Sequence, residues 1–591
     1  MKLWAKPFLS TLAIMSVACV WAGGSTRVIY SNIQTSDTSL IPGLGGLRFK
    51  TGTTTQFDRV YCSADGSRWV LRAVSTEAAT ADDVLISGMG VLGSSGLVVL
   101  DEGTPAPWDG SLNVSTIRQQ MAINNLGQIA FSCDTSAATT ADDFVVRLSG
   151  NTYAVLAREG DTIPGSGLGF GSTNDSVHIL NNGNVKFRSA FLVGMTADDG
   201  LITMVSPGAG SLDAQTSTFS PANQNTTPQF ADVFSAGSYR HSQDGSISTL
   251  AVDLTGPTAT DICTVINGGV IGQEGFVLGS FVSPVTSMDT AAGTRTVANN
   301  AHYSFRGSNV DTIDFVYKDG AVVAQTDAPI FSGAAENFDD TSFAACFFLN
   351  SVNGNGDFVV GGTTNNADAT KNAVVVLNNR FEVIRESDPV DVDGDGQFDD
   401  DAFISVFNND DCVLTDDLRY YFMADLKNSA GASLGQAFMV KQLGFQPISY
   451  NIVSGQYFGG TVASLCYSDD DQLFIINDEN QPNGIVEFVI PTPYSSASSM
   501  MLSTELSATR DDLAVFVDFK NQNTLAFEVK DVFSSEFTDT LRRFELTNAA
   551  NYINLASGNV DLRIRWIPAE DLVAEDGWSE RIDMVSLLVQ P

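Results

Sequence analysis

The feature that most constrains this chain is a short turn motif that returns at near-constant spacing. Its clearest copy is Asn-x-x-Gly-x-x-Ala-Phe at Asn124, Gly127, Ala130 and Phe131. Looser copies run Ser63-Ala64-Asp65-Gly66 into Trp69-Val70, Asn181-Asn182-Gly183 into Phe187, and Asn353-Gly354-Asn355-Gly356 into Val359-Val360. Weaker ones are Gln243-Asp244-Gly245, Asn299-Asn300-Ala301 and Thr415-Asp416-Asp417-Leu418. With Gly66, Gly127, Gly183, Gly245, Ala301, Gly356 and Leu418 as marks, seven repeats lie about 55 to 62 residues apart. Asn or Asp before Gly supplies the positive-φ residues of a tight turn, and the residues that follow alternate as a half-buried strand does.

The copies share an internal order. An acidic loop, Thr80-Ala81-Asp82-Asp83, Thr140-Ala141-Asp142-Asp143, Thr196-Ala197-Asp198-Asp199 or Thr260-Asp261, leads into an apolar strand such as Phe144-Val145-Val146. A second turn follows, at Ser149-Gly150-Asn151, Asn267-Gly268-Gly269, Asp319-Gly320 or Asn378-Asn379. A further strand then runs to an acidic corner, Arg158-Glu159-Gly160-Asp161, echoed at Asp101-Glu102-Gly103 and Arg385-Glu386-Ser387-Asp388. With the strand before the first turn, each repeat holds about four strands. Seven such units predict an all-β chain whose larger part, residues 23–455, is a seven-bladed β-propeller. A corner-like segment from Asp37 to Gly45 stands before the first repeat. The segment from Arg27 to Ile33 is therefore expected as a strand lent to the seventh blade, which hides sheet edges that would otherwise pair with other chains.

On these residues the chain resembles the NxxGxxAF tandem-repeat proteins, exported bacterial proteins with variable choice-of-anchor C-termini. The resemblance spans roughly residues 30–450 and is sharpest at Asn124–Phe131 and the corner from Arg158 to Gly165. It implies no catalytic residues and no established activity. After about residue 460 the repeat stops, and strand patterns at 484–490, 513–519, 525–529 and 560–566 predict a jelly-roll-like β-sandwich over residues 460–591. Its closing run, Trp578 to Val585, resembles the end of a module appended to exported bacterial β proteins, with Arg581 and Asp583 expected to fix the last strand.

Lys2 and Lys6, the apolar run from Phe8 to Trp21 and the small-residue site Val20-Trp21-Ala22 predict a signal peptide over residues 1–22. The mature chain is then expected outside the cytoplasm, secreted to the periplasm or beyond, with no later stretch apolar enough to span a bilayer. A net charge of −38 argues against nucleic acid, whose phosphates demand Lys and Arg. Cys62, Cys133, Cys263, Cys346, Cys412 and Cys466 form neither a CxxC pair nor a fixed pattern. They read as buried small hydrophobes, although export permits a disulfide.

The sharpest site pattern is Asp391-Val392-Asp393-Gly394-Asp395-Gly396-Gln397-Phe398-Asp399. Oxygens at loop positions 1, 3 and 5 with glycine at 6 suit calcium, and Asp391, Asp393, Asp395, Gln397 and Asp399 are the expected ligands of a structural ion. Position 12 is Ala402, so the usual bidentate Glu is missing, and Asp400 or Asp401 stands in reserve. There is no GxSxG, HExxH or phosphate-binding glycine loop, and His178, His241 and His302 read as structural. Two functions stay open: a non-enzymatic binding or surface-associated scaffold whose partner is an extracellular carbohydrate or protein, and a polysaccharide hydrolase or lyase with carboxylates in the channel.

Overall fold

The computed structural model describes residues 26–590 apart from 53–55, 92, 195–197, 291–292, 341–344, 396–397, 467–471, 478–482, 493, 548 and 569–576. The expected signal peptide, Thr196-Ala197 of the third acidic loop, and Gln397 lie outside the described residues. The rest is all-β, with antiparallel sheets throughout. Residues 27–442 make seven sheets of four or five strands, and residues 449–590 make two more of five strands each.

All seven turn marks take the left-handed backbone their sequence calls for, with φ between 64° and 84°. Five are glycine; Ala301 and Leu418 hold the same conformation at a steric cost of about 1–2 kcal/mol each. The second turns behave alike: Asn267-Gly268, Asp319-Gly320 and Asn378-Asn379 have positive φ at both central residues, the geometry whose twist matches a two-residue hairpin. Sheet one accordingly runs Phe57–Cys62, Arg68–Val74, Asp83–Met89 and Leu97–Asp101 as a simple meander. Sheets two to six repeat the plan, with short extra strands in the second, fourth and fifth.

Sheet seven draws on both ends of this region. Phe403–Leu414, Arg419–Lys427 and Ser433–Gln442 are joined by Arg27–Ser31, which pairs antiparallel with the last of them, Arg27 opposite Val440 and Ser31 opposite Ala437. The expected loan of the first strand to the last repeat is thus found. Ile29 and Tyr30 of that strand pack with Phe49, Phe57 and Trp69 of the first repeat and with Tyr421 and Phe438 of sheet seven in one apolar cluster. Elsewhere too the core lies between successive sheets: Ala130 and Val145 of sheet two pack with Ile179, Phe187 and Ile202 of sheet three.

The first strands of successive sheets lie side by side. Phe57–Cys62 touches Asp109–Ile123, contact passes onward through Thr173–Ile179, Arg240–His241, Arg295–Ala298 and Phe347–Val352 to Phe403–Leu414, and the last touches Phe57–Cys62 again.

The passage to the C-terminal sheets comes earlier than the expected break at 455–460. Ser449–Ser454 already pairs with Gly484–Pro491, because its alternation places Tyr450 and Ile452 against the core of the second unit. One sheet of that unit carries Ser499–Ala508 and Trp578–Gln590 side by side, and Met501 and Leu588 on these strands pack against sheets six and seven. Arg581 lies over the Phe474 ring at 5.2 Å and Asp583 is buried. Among the described residues the six cysteines are free, five of them buried. Among the described residues no helix is long and apolar enough to cross a membrane.

Candidate functional site

The repeat motif has a task beyond its own turn. Asn124 Oδ1 accepts hydrogen bonds from the backbone N–H of Leu126 and Gln128, while its Nδ2 donates to Leu180 O in the next repeat at 2.8 Å. Asn353 does the same, accepting from Asn355 and Asp357 and donating to Thr415 O at 2.9 Å. Residues within the turns continue the linkage. Ala64 N donates to Asn125 Oδ1, Asn125 N to Asn181 Oδ1 and Asn181 N to Gln243 O. Asp244 N donates to Asn299 Oδ1, Asn300 Nδ2 to Gly354 O, Gly354 N to Asp416 Oδ1, and Asp416 N to Ala64 O. The hydrogen bonds therefore pass through all seven turns and return to the first.

Behind these turns lies a cavity of about 150 Å³ to which the first strand of every sheet contributes. Gln243 closes it on the turn side: from sheet four its Nε2 donates to Cys62 O and Ile123 O of sheets one and two, and its Oε1 accepts from Ala64 N. Val60, Ile123, Ile179, Val297, Val352 and Leu414 give much of the wall. The polar groups come from distant parts of the sequence. Arg59 Nη1 donates to Asp411 Oδ1 at 2.6 Å, and Arg240 Nη1 donates to Tyr61 Oη at 2.6 Å with its guanidinium over the Tyr61 ring.

Burial and the neighbouring Arg240 hold His178 neutral, down at about 3, and burial takes His241 down to about 4. His178 Nε2 bonds Tyr239 O and His241 Nδ1 bonds Ser242 O. Two of the three histidines thus meet at the cavity as neutral structural groups, and His302 sits apart with Asp319 at 2.7 Å. Burial also raises the Asp416 carboxyl to about 6. Sequence patterns had not marked Arg59, Tyr61, Arg240 or Asp411. They lie off the repeat motif, and no local spacing joins residues 59 and 411.

The acidic loop stands beside the first strand. Asp391, Asp393 and Asp395 each offer a carboxylate oxygen, and these lie within 4.8 Å of one another, Asp391 buried and the other two exposed. Asp391 Oδ1 accepts from Gly394 N, Asp393 Oδ1 from Asp395 N, and Asp400 Oδ2 from Val392 N. Arg27 Nη2 donates to Gly394 O at 2.7 Å, and Asp391 O accepts from Val28 N, so the loop is tied to the lent strand. Gly394, at φ 78°, leaves room for that guanidinium: a Cβ there would sit 2.4 Å from Arg27 Nη2. Asp399 is exposed and stands outside the group of three, and Asp401 is engaged by Ser429 N.

A second cluster, Asp82, Asp83 and Glu102, is buried throughout. It carries its own cations, Lys50 on Asp82 at 2.8 Å and Arg72 on Asp83 at 2.6 Å. A metal there would have to displace both.

Among solved structures, a fungal six-bladed β-propeller lectin from Aleuria aurantia is 12% identical, with 45% of this chain and 78% of that one covered, at a TM-score of 0.23. An exo-β-1,3-galactanase from Phanerochaete chrysosporium is 8% identical over 96% of this chain and 99% of its own, at 0.21. The carbohydrate-binding module TmCBM61 is 8% identical over 24% of this chain and 87% of its own, at 0.17. No curated protein matches the sequence significantly. Residues 39–245, the first turns and sheets of the array, match the model described as "Family of unknown function (DUF7453)".

Proposed function

We propose that this chain is an exported binding protein built on a closed seven-bladed β-propeller, with a jelly-roll-like sandwich fixed to its sixth and seventh blades and its ligand held in the central cavity. The observation that carries the reading is a single cavity to which all seven first strands contribute, with polar side chains reaching across it from opposite sheets. The return of the turn-to-turn hydrogen bonds to Ala64 supports closure. The hydrolase alternative asks for two carboxyls working across a substrate. The two carboxyls in the cavity wall are otherwise occupied, Asp411 by Arg59 and Asp416 by Gly354 N, which favours binding.

Calcium at Asp391, Asp393 and Asp395 would lock the acidic loop onto the first strand and so stabilise the closure of the seventh blade. Gln397 and Asp399 remain the candidates to complete its oxygen set. An ion that binds only the folded chain raises the melting temperature. Residues 23–591 should melt higher in millimolar calcium than in chelator, and the difference should vanish in an Asp393→Ala, Asp395→Ala variant; equal melting of the parent in both conditions would end the calcium proposal.

The binding reading is tested by screening the same chain against arrays of extracellular glycans and peptides, beside a Val297→Trp variant that fills the cavity. A ligand bound by the parent and lost in the filled variant is the expected result. Ligands retained by Val297→Trp would place recognition elsewhere.

A further inference from the structure

The cavity wall runs against the charge of the molecule. The chain carries −38 overall, yet three of its arginines, Arg59, Arg240 and Arg295, line this one space against two carboxylates, Asp411 and Asp416. Arg59 is matched by Asp411. Arg240 is not matched: it is 8% exposed and donates to the neutral Tyr61 hydroxyl, which leaves the rest of its fork without a carboxylate among the described residues. Arg295 is fully buried and spends its hydrogen bonds on Asp289 O and the Thr264 hydroxyl. A buried cation without a counter-ion is costly and invites one.

Resting on the binding reading above, we propose that the central cavity takes a small ligand through its oxyanion group, a carboxylate, sulfate or phosphate, received by the Arg240 guanidinium. Geometry supports each part. Arg240 leaves sheet four and ends against Tyr61 of sheet one, so its head lies across the cavity rather than along a wall. Tyr61 braces it from two sides, by the hydrogen bond to Nη1 and by the ring 5.3 Å from Cζ. That bracing fixes the plane of the guanidinium and presents its remaining N–H groups, the fixed fork that suits planar or tetrahedral oxyanions. Arg59 lies two residues from Tyr61 on the same strand and thus on the same face, and its buried Nε has no partner. Both cavity histidines are neutral and add neither attraction nor repulsion. The volume, about 150 Å³, admits a group of about the size of one small ring.

The test is calorimetry on residues 23–591 at constant ionic strength, with sodium sulfate, inorganic phosphate, glucuronate and glucose as probes. Glucuronate should bind saturably at one site and be displaced by sulfate or phosphate, whereas glucose, which lacks the charge, should bind at least about tenfold more weakly. Arg240→Met keeps the length of the side chain and should abolish the anion binding, and Tyr61→Phe, which keeps the ring beneath the guanidinium, should weaken it only a few-fold. If Arg240→Met does not fold, displacement of glucuronate by sulfate on the parent chain decides. Failure of the anions to bind the folded parent overturns the assignment, as does anion binding unchanged in Arg240→Met. A neutral glycan lost in Val297→Trp but kept in Arg240→Met overturns the oxyanion assignment and leaves the binding reading standing.

Discussion

Replacing Tyr30 by alanine should destabilise the seven-sheet unit by about 4–6 kcal/mol. Tyr30 is 3% exposed, its ring centroid lies 5.2 Å from that of Phe49 and 5.8 Å from that of Trp69, and its hydroxyl donates to Gly93 O at 2.6 Å. Truncating a buried aromatic costs about 3–5 kcal/mol, and the lost hydrogen bond adds about 1 kcal/mol. Against a typical total of about 5–15 kcal/mol, that is a large share. Tyr30→Phe keeps the ring and should cost only about 1 kcal/mol. The assay is equilibrium urea unfolding followed by tryptophan fluorescence, to which Trp69 beside Tyr30 contributes, with far-ultraviolet circular dichroism alongside. The ring should matter far more than the hydroxyl because it is buried among side chains of the first repeat and of sheet seven. If Tyr30→Ala unfolds within about 1 kcal/mol of Tyr30→Phe, the segment is not holding the two ends of the array together.

Asn353→Ala removes two acceptances within its turn and the donation to Thr415 O, and should cost about 2–3 kcal/mol in the same urea assay, more than a turn residue with purely local duties. Ala301→Gly relieves a left-handed alanine at φ 64° and should raise stability by about 0.5–1 kcal/mol, read as a higher urea midpoint at unchanged slope. Burial, and then the charge of Asp261, raise the Glu274 carboxyl to about 7 from an ordinary 4.5. The folded chain therefore holds this proton more tightly than the unfolded chain between those values, so its contribution to stability falls as pH rises from about 4.5 to 7. Glu274→Gln should flatten that part of the melting-temperature profile between pH 4.5 and 7, and an unchanged slope would refute the assignment.

The turns were legible because their information is local. A residue at positive φ preceded by Asn, Asp or Ser writes itself into four consecutive letters, and seven marks chosen from such letters all prove left-handed, even where Ala301 and Leu418 replace glycine. The lent strand was legible for a related reason, since the corner at Asp37–Gly45 had no repeat before it to end. What the letters could not give was the meaning of Asn124 and Asn353 beyond their own turns, since their Nδ2 groups reach acceptors about 60 residues away whose identity is irrelevant: any backbone carbonyl serves. The cavity was less legible still. Arg240 and Tyr61 meet across 179 positions, and Arg59 and Asp411 across 352. Each is a single charged or aromatic residue on an otherwise ordinary strand, and only the circular adjacency of the first strands turns them into neighbours. The break between units was misjudged by a few residues because Ser449–Ser454 alternates as a strand of either unit would, and pairing alone decides which it joins.

The pairing of Arg27–Ser31 with Ser433–Gln442 also sets a schedule. The strand nearest the N-terminus is the first of the described chain to be synthesised, and its partner comes some 400 residues later, one of the longest sequence separations at which two strands of this chain meet. Contacts of that kind form late and slowly, because the intervening chain must be ordered first. Throughout that interval Val28, Ile29 and Tyr30 have no sheet to cover them, and an apolar strand in that state is open to pairing with a neighbouring molecule. An intermediate lacking sheet seven would thus carry two unsatisfied edges in one chain, and two such chains could each complete the other. Dimers exchanging residues 27–31 are the characteristic misassembly to look for when this protein is refolded at high concentration.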